Sequence, residues 1–309
     1  MATETIEVSE VSRKASGSGV KVWLALLSVY LIWGSTYLAI RLAIEGGFPP
    51  FLGAGIRFII AGAILYIISR AQGIPSPTAT QWRASTIVGA LLLLGGNGGV
   101  SFAEANGITS GLAAVWIATM PLWAALFAGL WGRWPTRLEW VGLGVGLVGV
   151  GLLNFEKNLQ ANPLGAAALL ASTICWALGS VWSRRLSLPR GLMASGAEML
   201  AGGVLLIALS QLLGEKFIAM PTEQAWWALG YLVVFGSLVA YSAYIYLLGN
   251  VRPALATSYA YVNPMVAVGL GVVLGGEHVT AVGLVAMAII LGAVGLVVMG
   301  RDRATPKVS

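Results

Sequence analysis

Ten apolar stretches of about 20 residues succeed one another along this chain, joined by connections too short to form a domain of their own. They fall near 22–44, 50–70, 83–103, 109–131, 137–154, 163–184, 192–213, 226–248, 253–274 and 279–300. About 20 apolar residues is the length a helix needs to cross a ~30 Å hydrocarbon core, where every backbone polar group must find its partner within the segment. Pro49, Pro50, Pro75, Pro77, Pro135, Pro163, Pro189, Pro221 and Pro253 fall at or between the stretches, as expected of residues that interrupt helices. Only 10% of the 309 residues are charged and 58% are hydrophobic, too little charge to cover a water-facing surface. Cys175 is the single cysteine, which excludes a disulfide scaffold. The class expected is an all-α polytopic membrane protein.

The formal charge of +6 does not mark a nucleic-acid binder, because the basic residues stand singly or in small groups with no stripe to follow a phosphate backbone. They report orientation instead. Arg13, Lys14, Lys21, Arg70, Arg83, Arg133, Arg137, Arg184, Arg185, Arg190, Arg252, Arg301, Arg303 and Lys307 fall in one set of loops and tails, Lys157 and Lys216 in the other. That segregation predicts that both termini lie in the cytoplasm. Residues 1–21 read as a polar, mobile N-terminal tail and 301–309 as a C-terminal one.

The chain also matches itself at an offset near 143. Tyr30–Arg41 lies over Thr173–Arg184, aligning Trp33 with Trp176 and Arg41 with Arg184, and Met120-Pro121 lies over Asn263-Pro264. The halves are residues 22–154 and 163–300, with five spans each. Five is odd, so the second half enters from the opposite side and the repeat is inverted. Such halves place a solute site near the bilayer midplane, around a central cavity that opens to either side in turn.

These features together resemble a known family. The Trp33-Gly34-Ser35 element, Asn263-Pro264, and Gly275-Gly276-Glu277 ahead of a glycine-spaced last helix are similar to the drug/metabolite transporter superfamily, best to its ten-helix EamA-type exporters, over about residues 22–300. The resemblance implies export of small solutes, with the bacterial exporters of aromatic amino acids and paraquat as near neighbours. The first half departs from the pattern, having Arg133 and Trp134 where the second half has Gly276 and Glu277.

Polar and aromatic residues in mid-span are the candidates to line a pathway, since lipid-facing surfaces favour aliphatic side chains. Helical spacing groups Trp33 with Tyr37, Trp176 with Ser180, Asn97 with Ser101 and Glu104, Trp116 with Met120, Tyr241 with Tyr244, and Tyr259 with Asn263. Packing between helices explains the aromatic stripes equally well. Trp and Tyr residues at span ends read as interface anchors. The glycine run around Gly96 and Gly98 is either a close-packing face or a weak point for bending, and Pro121 and Pro264 are expected to kink their helices. Among the in-span charges, Arg57 is placed in the outer part of its helix, away from Glu198. Glu198 is expected to pair with Arg184 or Arg185, and no Arg or Lys is expected in mid-cavity.

No phosphate-binding loop, no His-Glu-x-x-His and no Cys/His cluster occurs; His278 is the single histidine and reads as a loop residue. No cofactor, metal or enzymatic activity is expected. The resemblance implies that the solutes exported across a bacterial inner membrane are amino acids, aromatic and other neutral ones included, and related small metabolites; the carrier is expected to be facilitative, and a monomer or weak homodimer. A multidrug exporter of cations, a passive channel and a membrane enzyme are the alternatives.

Overall fold

The computed structural model describes residues 2–108, 113, 116–154, 163–275 and 280–303, and no strand occurs among them. The helices are α1 Ala2–Glu45, α2 Pro50–Ala71, α3 Ala79–Ala105, α4 Met120–Leu130, α5 Arg137–Asn154, α6 Pro163–Ser183, α7 Leu192–Leu212, α8 Glu223–Asn250, α9 Tyr259–Gly275 and α10 Ala281–Arg303. A single turn, Pro253–Ala256, precedes α9. The protein is an all-helical polytopic membrane protein: among the described residues, segments of six helices are long and apolar enough to cross a bilayer, and Met120–Leu130 and Ala281–Val297 are shorter apolar helices. α1 runs from Ala2 without a break, so the polar N-terminal residues are helical and continue into the first apolar stretch.

Local chemistry sets the ends. Thr78 and Gln81 form a reciprocal capping box at the start of α3, and Thr222 caps α8. After α2 and α7 the chain turns at Gly73 (φ 80°) and Gly214 (φ 72°), left-handed positions that glycine takes without strain. Glu215, three residues beyond the end of α7 and just after Gly214, reaches across to α2. Its two carboxylate oxygens accept from Phe51 N (3.2 Å) and Leu52 N (2.9 Å), holding negative charge at a helix N-terminus.

Two pairs of helices of equal rank in the two halves, α2 with α7 and α5 with α10, pack against each other antiparallel. On α2 and α7, Gly55 faces Gly203 while Gly62 faces Gly196, so one sequence rises as the other falls. On α5 and α10, Gly142 faces Val297 and Gly149 faces Ile290, again in opposite sense. Equivalent helices running in opposite directions are what a repeat axis lying in the membrane plane requires. The glycines permit backbone-to-backbone approach, the form of helix contact available where lipid removes the hydrophobic drive.

Two irregularities recur at equivalent places. The middle of α3 is π-helical over Ala90–Gly98, and the middle of α8 over Leu232–Tyr241. Adding 143 to the first range gives 233–241. The fourth and ninth segments are both broken, at Ala118–Thr119 and at Thr257–Ser258. Pro121 therefore does not kink a continuous helix. It lies in the first turn of α4, where its missing N–H has no partner to lose. Pro264 does sit inside α9.

A central cavity between the repeats

Trp33 on α1 and Trp176 on α6 meet edge to face, with ring centroids 5.4 Å apart. Tyr244 of α8 and Tyr259 of α9 close on Trp33 at 5.0 and 4.7 Å. Each tryptophan also meets the π-helical segment of the other repeat. Trp33 Nε1 donates to the Gly236 carbonyl (3.1 Å), while Trp176 lies flat enough on Gly96 that a Cβ there would strike its ring. Ser172 Oγ donates to the Gly96 carbonyl at 2.6 Å. A π-helical turn widens the backbone spacing and offers carbonyls to side chains of neighbouring helices.

Beside this cluster is a cavity of about 50 Å³. Trp33, Thr36 and Tyr37 line it from α1, Gly96 and Asn97 from α3, and Trp176 with Ser172 from α6. Tyr259 and Asn263 reach it from α9, Ile117 and Met120 from either side of the break before α4, and Arg57 from α2. Such a volume holds a water or two, whereas small-molecule sites span about 300–1,000 Å³, so the two halves are closed around it. Three buried side-chain atoms on the lining lack a hydrogen-bond partner: Asn97 Oδ1 and both Asn263 Oδ1 and Nδ2. Asn263 turns toward the Tyr37 hydroxyl without a bond of good geometry.

Of the residues singled out in the sequence, Trp33, Tyr37, Asn97, Trp176, Tyr259, Asn263 and Gly96 come together on this cavity. Others do not. Ser101 lines a separate crevice with Pro49 and Pro50. Trp116 packs half-buried on the apolar core, and Gly98 abuts Phe51 and Leu206. Gly95, Gly96 and Gly99 lie against Cys175, Trp176 and Ser172, so the glycine run is a packing face toward α6. Ser180 and Tyr244 share a hydrogen bond of 2.5 Å, and Trp176 Nε1 donates to the same tyrosine oxygen at 3.1 Å. Tyr241 faces elsewhere, its hydroxyl donating to Glu198 Oε2 at 2.8 Å.

The expected Arg184–Glu198 pair is not formed. Arg184 Nη1 donates to the Val251 carbonyl (2.5 Å) at the end of α8, and fully buried Glu198 takes Tyr241 instead. Both residues border a second cavity of about 390 Å³ at the arginine-rich end of the bundle, and Arg184 also borders a third of about 450 Å³ with Arg133 and Arg185. Along α6 and the residue after it, Trp176 faces the small cavity and Arg184 the wide ones. Ser180, one helical turn from each, is barred by Tyr244. At the same end Arg252 Nε meets Glu139 Oε1 at 2.8 Å, tying the start of α5 to the chain ahead of α9.

Arg57 corrects the expectation that no cation stands in mid-cavity. Its signal was present, a single arginine inside an apolar run, but depth along the helix was the wrong criterion. The side chain reaches α8, where Gly236 leaves it room and Ser237 Oγ accepts from Nε at 2.8 Å. Glu277 and His278 lie outside the described residues.

The model of the EamA-like transporter family matches twice, over residues 20–155 and 163–299. The chain belongs to that family. It is 47% identical over 277 residues to a protein described as the uncharacterized inner membrane transporter YedA of Escherichia coli strain K12, covering 90% of each chain. It is 28% identical over 248 residues to Protein PecM of Dickeya dadantii, covering 78% of this chain and 80% of that one. A crystal structure superposes with a TM-score of 0.76 at 23% identity, covering 91% of this chain and 98% of its own, which is a likeness of fold. Family membership makes the chain a membrane transporter of the EamA type.

The contact of Gly96 with Trp176 is directly testable. In Gly96→Val the added atoms displace the Trp176 ring into the cavity. Transport of whatever solute the wild type carries is expected to fall about 100-fold, the scale for misplacing a positioning group by ~1 Å. Equal transport by equal amounts of folded wild type and variant would show that the ring's position is immaterial.

Proposed function

We propose that this protein exports amino acids, neutral and aromatic ones included, across a bacterial inner membrane, with both termini cytoplasmic. It works by alternating access of the two five-helix repeats, residues 22–154 and 163–300. The observation that carries the reading is the lining of the central cavity, where aromatic faces stand beside buried amide atoms that lack partners. Such atoms are costly to bury unless a polar ligand meets them, and the aromatic faces suit an apolar side chain. The inner-membrane description of the 47% identical relative supports the location.

Transport is facilitative in this reading, since Glu198 is turned away to Tyr241 and borders the wide cavity at the arginine-rich end instead. The test is counterflow of labelled phenylalanine and threonine in proteoliposomes, with and without a pH gradient. Saturable exchange indifferent to the gradient is expected, falling about tenfold or more in Trp176→Ala and Asn97→Ala. Accumulation driven by the gradient would make the carrier proton-coupled. Flux that neither saturates nor shows trans-stimulation would make it a channel. The aromatic cluster also suits organic cations, so uptake of paraquat with no amino-acid flux would replace the amino-acid reading.

A further inference from the structure

Arg57 is 3% exposed, and its guanidinium spends one of five N–H groups on Ser237 Oγ. Among the described residues its Nη atoms make no hydrogen bond and no carboxylate lies within 4.0 Å of it. Arginine does not shed its charge, and a cation inside a membrane protein is costly unless paired. It lines both the central cavity and the crevice beside Pro49 and Pro50, with Nη2 lying against Gly236 and the guanidinium carbon 4.7 Å from the centre of the Phe58 ring. On the same cavity are the partnerless amide oxygens of Asn97 and Asn263 and the partnerless Asn263 Nδ2. One cationic fork, two acceptors and one further donor therefore converge on a space bounded by Trp33 and Tyr259.

We infer that Arg57 anchors the carboxylate of the transported solute while the Asn97 and Asn263 amide oxygens receive its ammonium group, so that the site selects α-amino acids over amines with the same side chain. This rests on the amino-acid reading above and adds the residues that recognise each end. The guanidinium edge matches a carboxylate in two parallel hydrogen bonds. Amide oxygens accept from an ammonium without adding a charge, and Asn263 Nδ2 has the carboxylate's remaining lone pairs to meet. The Trp33 and Tyr259 faces are left for the side chain. Ligand entry neutralises Arg57, so the halves close over a paired charge and not a bare one. Ser237, which holds Nε, is a positioning residue supplied by the π-helical segment of the opposite repeat.

The test uses the purified full-length protein in proteoliposomes, with phenylalanine counterflow competed by 3-phenylpropionate, which lacks the ammonium, and by phenylethylamine, which lacks the carboxylate. Phenylethylamine is expected to compete about 100-fold more weakly than phenylalanine, the scale of a lost charge-assisted pair, and 3-phenylpropionate about tenfold more weakly. Arg57→Met should raise the half-saturating phenylalanine concentration about 100-fold and erase the difference between the two competitors, with Arg57→Lys in between. Phenylethylamine competing as well as phenylalanine overturns the inference, as does an Arg57→Met variant with wild-type saturation. If the arginine variants do not fold, the wild-type competition series decides alone. If wild type carries no amino acid, the functional reading fails separately. Thermal stabilisation of the wild type by 3-phenylpropionate but not phenylethylamine would then keep Arg57 as a carboxylate anchor, and stabilisation by neither would overturn it.

Discussion

Gly62→Val should lower the melting temperature of the protein markedly. A Cβ at Gly62 would lie 2.8 Å from Leu200 N, 2.9 Å from Met199 Cβ and 3.0 Å from the Gly196 carbonyl. Two of those three neighbours are backbone of α7, which cannot rotate aside as a side chain can. The helices must separate, and the dispersion contacts along the whole seam weaken together, including the reciprocal approach of Gly55 and Gly203. Overpacking a tight core costs about 1–3 kcal/mol, and a backbone-to-backbone seam belongs at or above the top of that range. For a chain of this size that is a melting temperature lower by about 6–12 °C. Size-exclusion profiles after stepwise heating in detergent measure it. Gly144→Val is the control, because nothing lies within 4 Å of a Cβ there. Coincident melting curves for the two variants would refute the account of this seam.

Trp33→Ala should be at least as damaging, and it should also impair transport. The indole donates to the Gly236 carbonyl and touches the rings of Trp176, Tyr244 and Tyr259, so it joins four helices at one point. Truncating a buried Trp costs about 3–5 kcal/mol. The cavity would enlarge, and the Gly236 carbonyl would lose the donor it has from α1. Exchange per folded molecule is expected to drop about tenfold or more, since the halves then close on a gap instead of on each other. Trp33→Phe, which keeps a ring but not the N–H, should recover most of the stability. Trp23→Ala provides the surface comparison, as that indole is 57% exposed. If Trp33→Ala melts and exchanges as Trp23→Ala does, the ring cluster is not what holds the halves together.

The candidate site was legible in part, and its misses share a cause. Trp33, Tyr37, Asn97, Trp176, Tyr259 and Asn263 were marked as polar or aromatic residues in apolar spans, and they meet at one cavity because such side chains are excluded from lipid-facing surfaces. Ser101, Trp116 and Tyr241 carried the same signal and face other neighbours. Arg57 was placed by its depth along α2, yet a long side chain ends wherever an adjoining helix leaves room, here at Gly236. Glu198 was matched with Arg184 by sign and proximity in sequence. In the fold, a neutral hydroxyl from α8 satisfies the carboxylate and a helix-end carbonyl satisfies the guanidinium.

By itself the sequence determined that the chain is helical, membrane-embedded and built of two related halves. Helical hydrogen bonds are local and hydrophobic length is additive, so a run of about 20 apolar residues specifies its own structure in lipid. Tertiary structure alone decided which faces meet. The antiparallel glycine seams, the π-helical segments that receive Trp33 and Arg57, the start of α4 at Pro121 and the closed cavity all depend on the rotation of one helix against another. That rotation is set by interlocking side chains from residues more than a hundred positions apart, which no local pattern encodes.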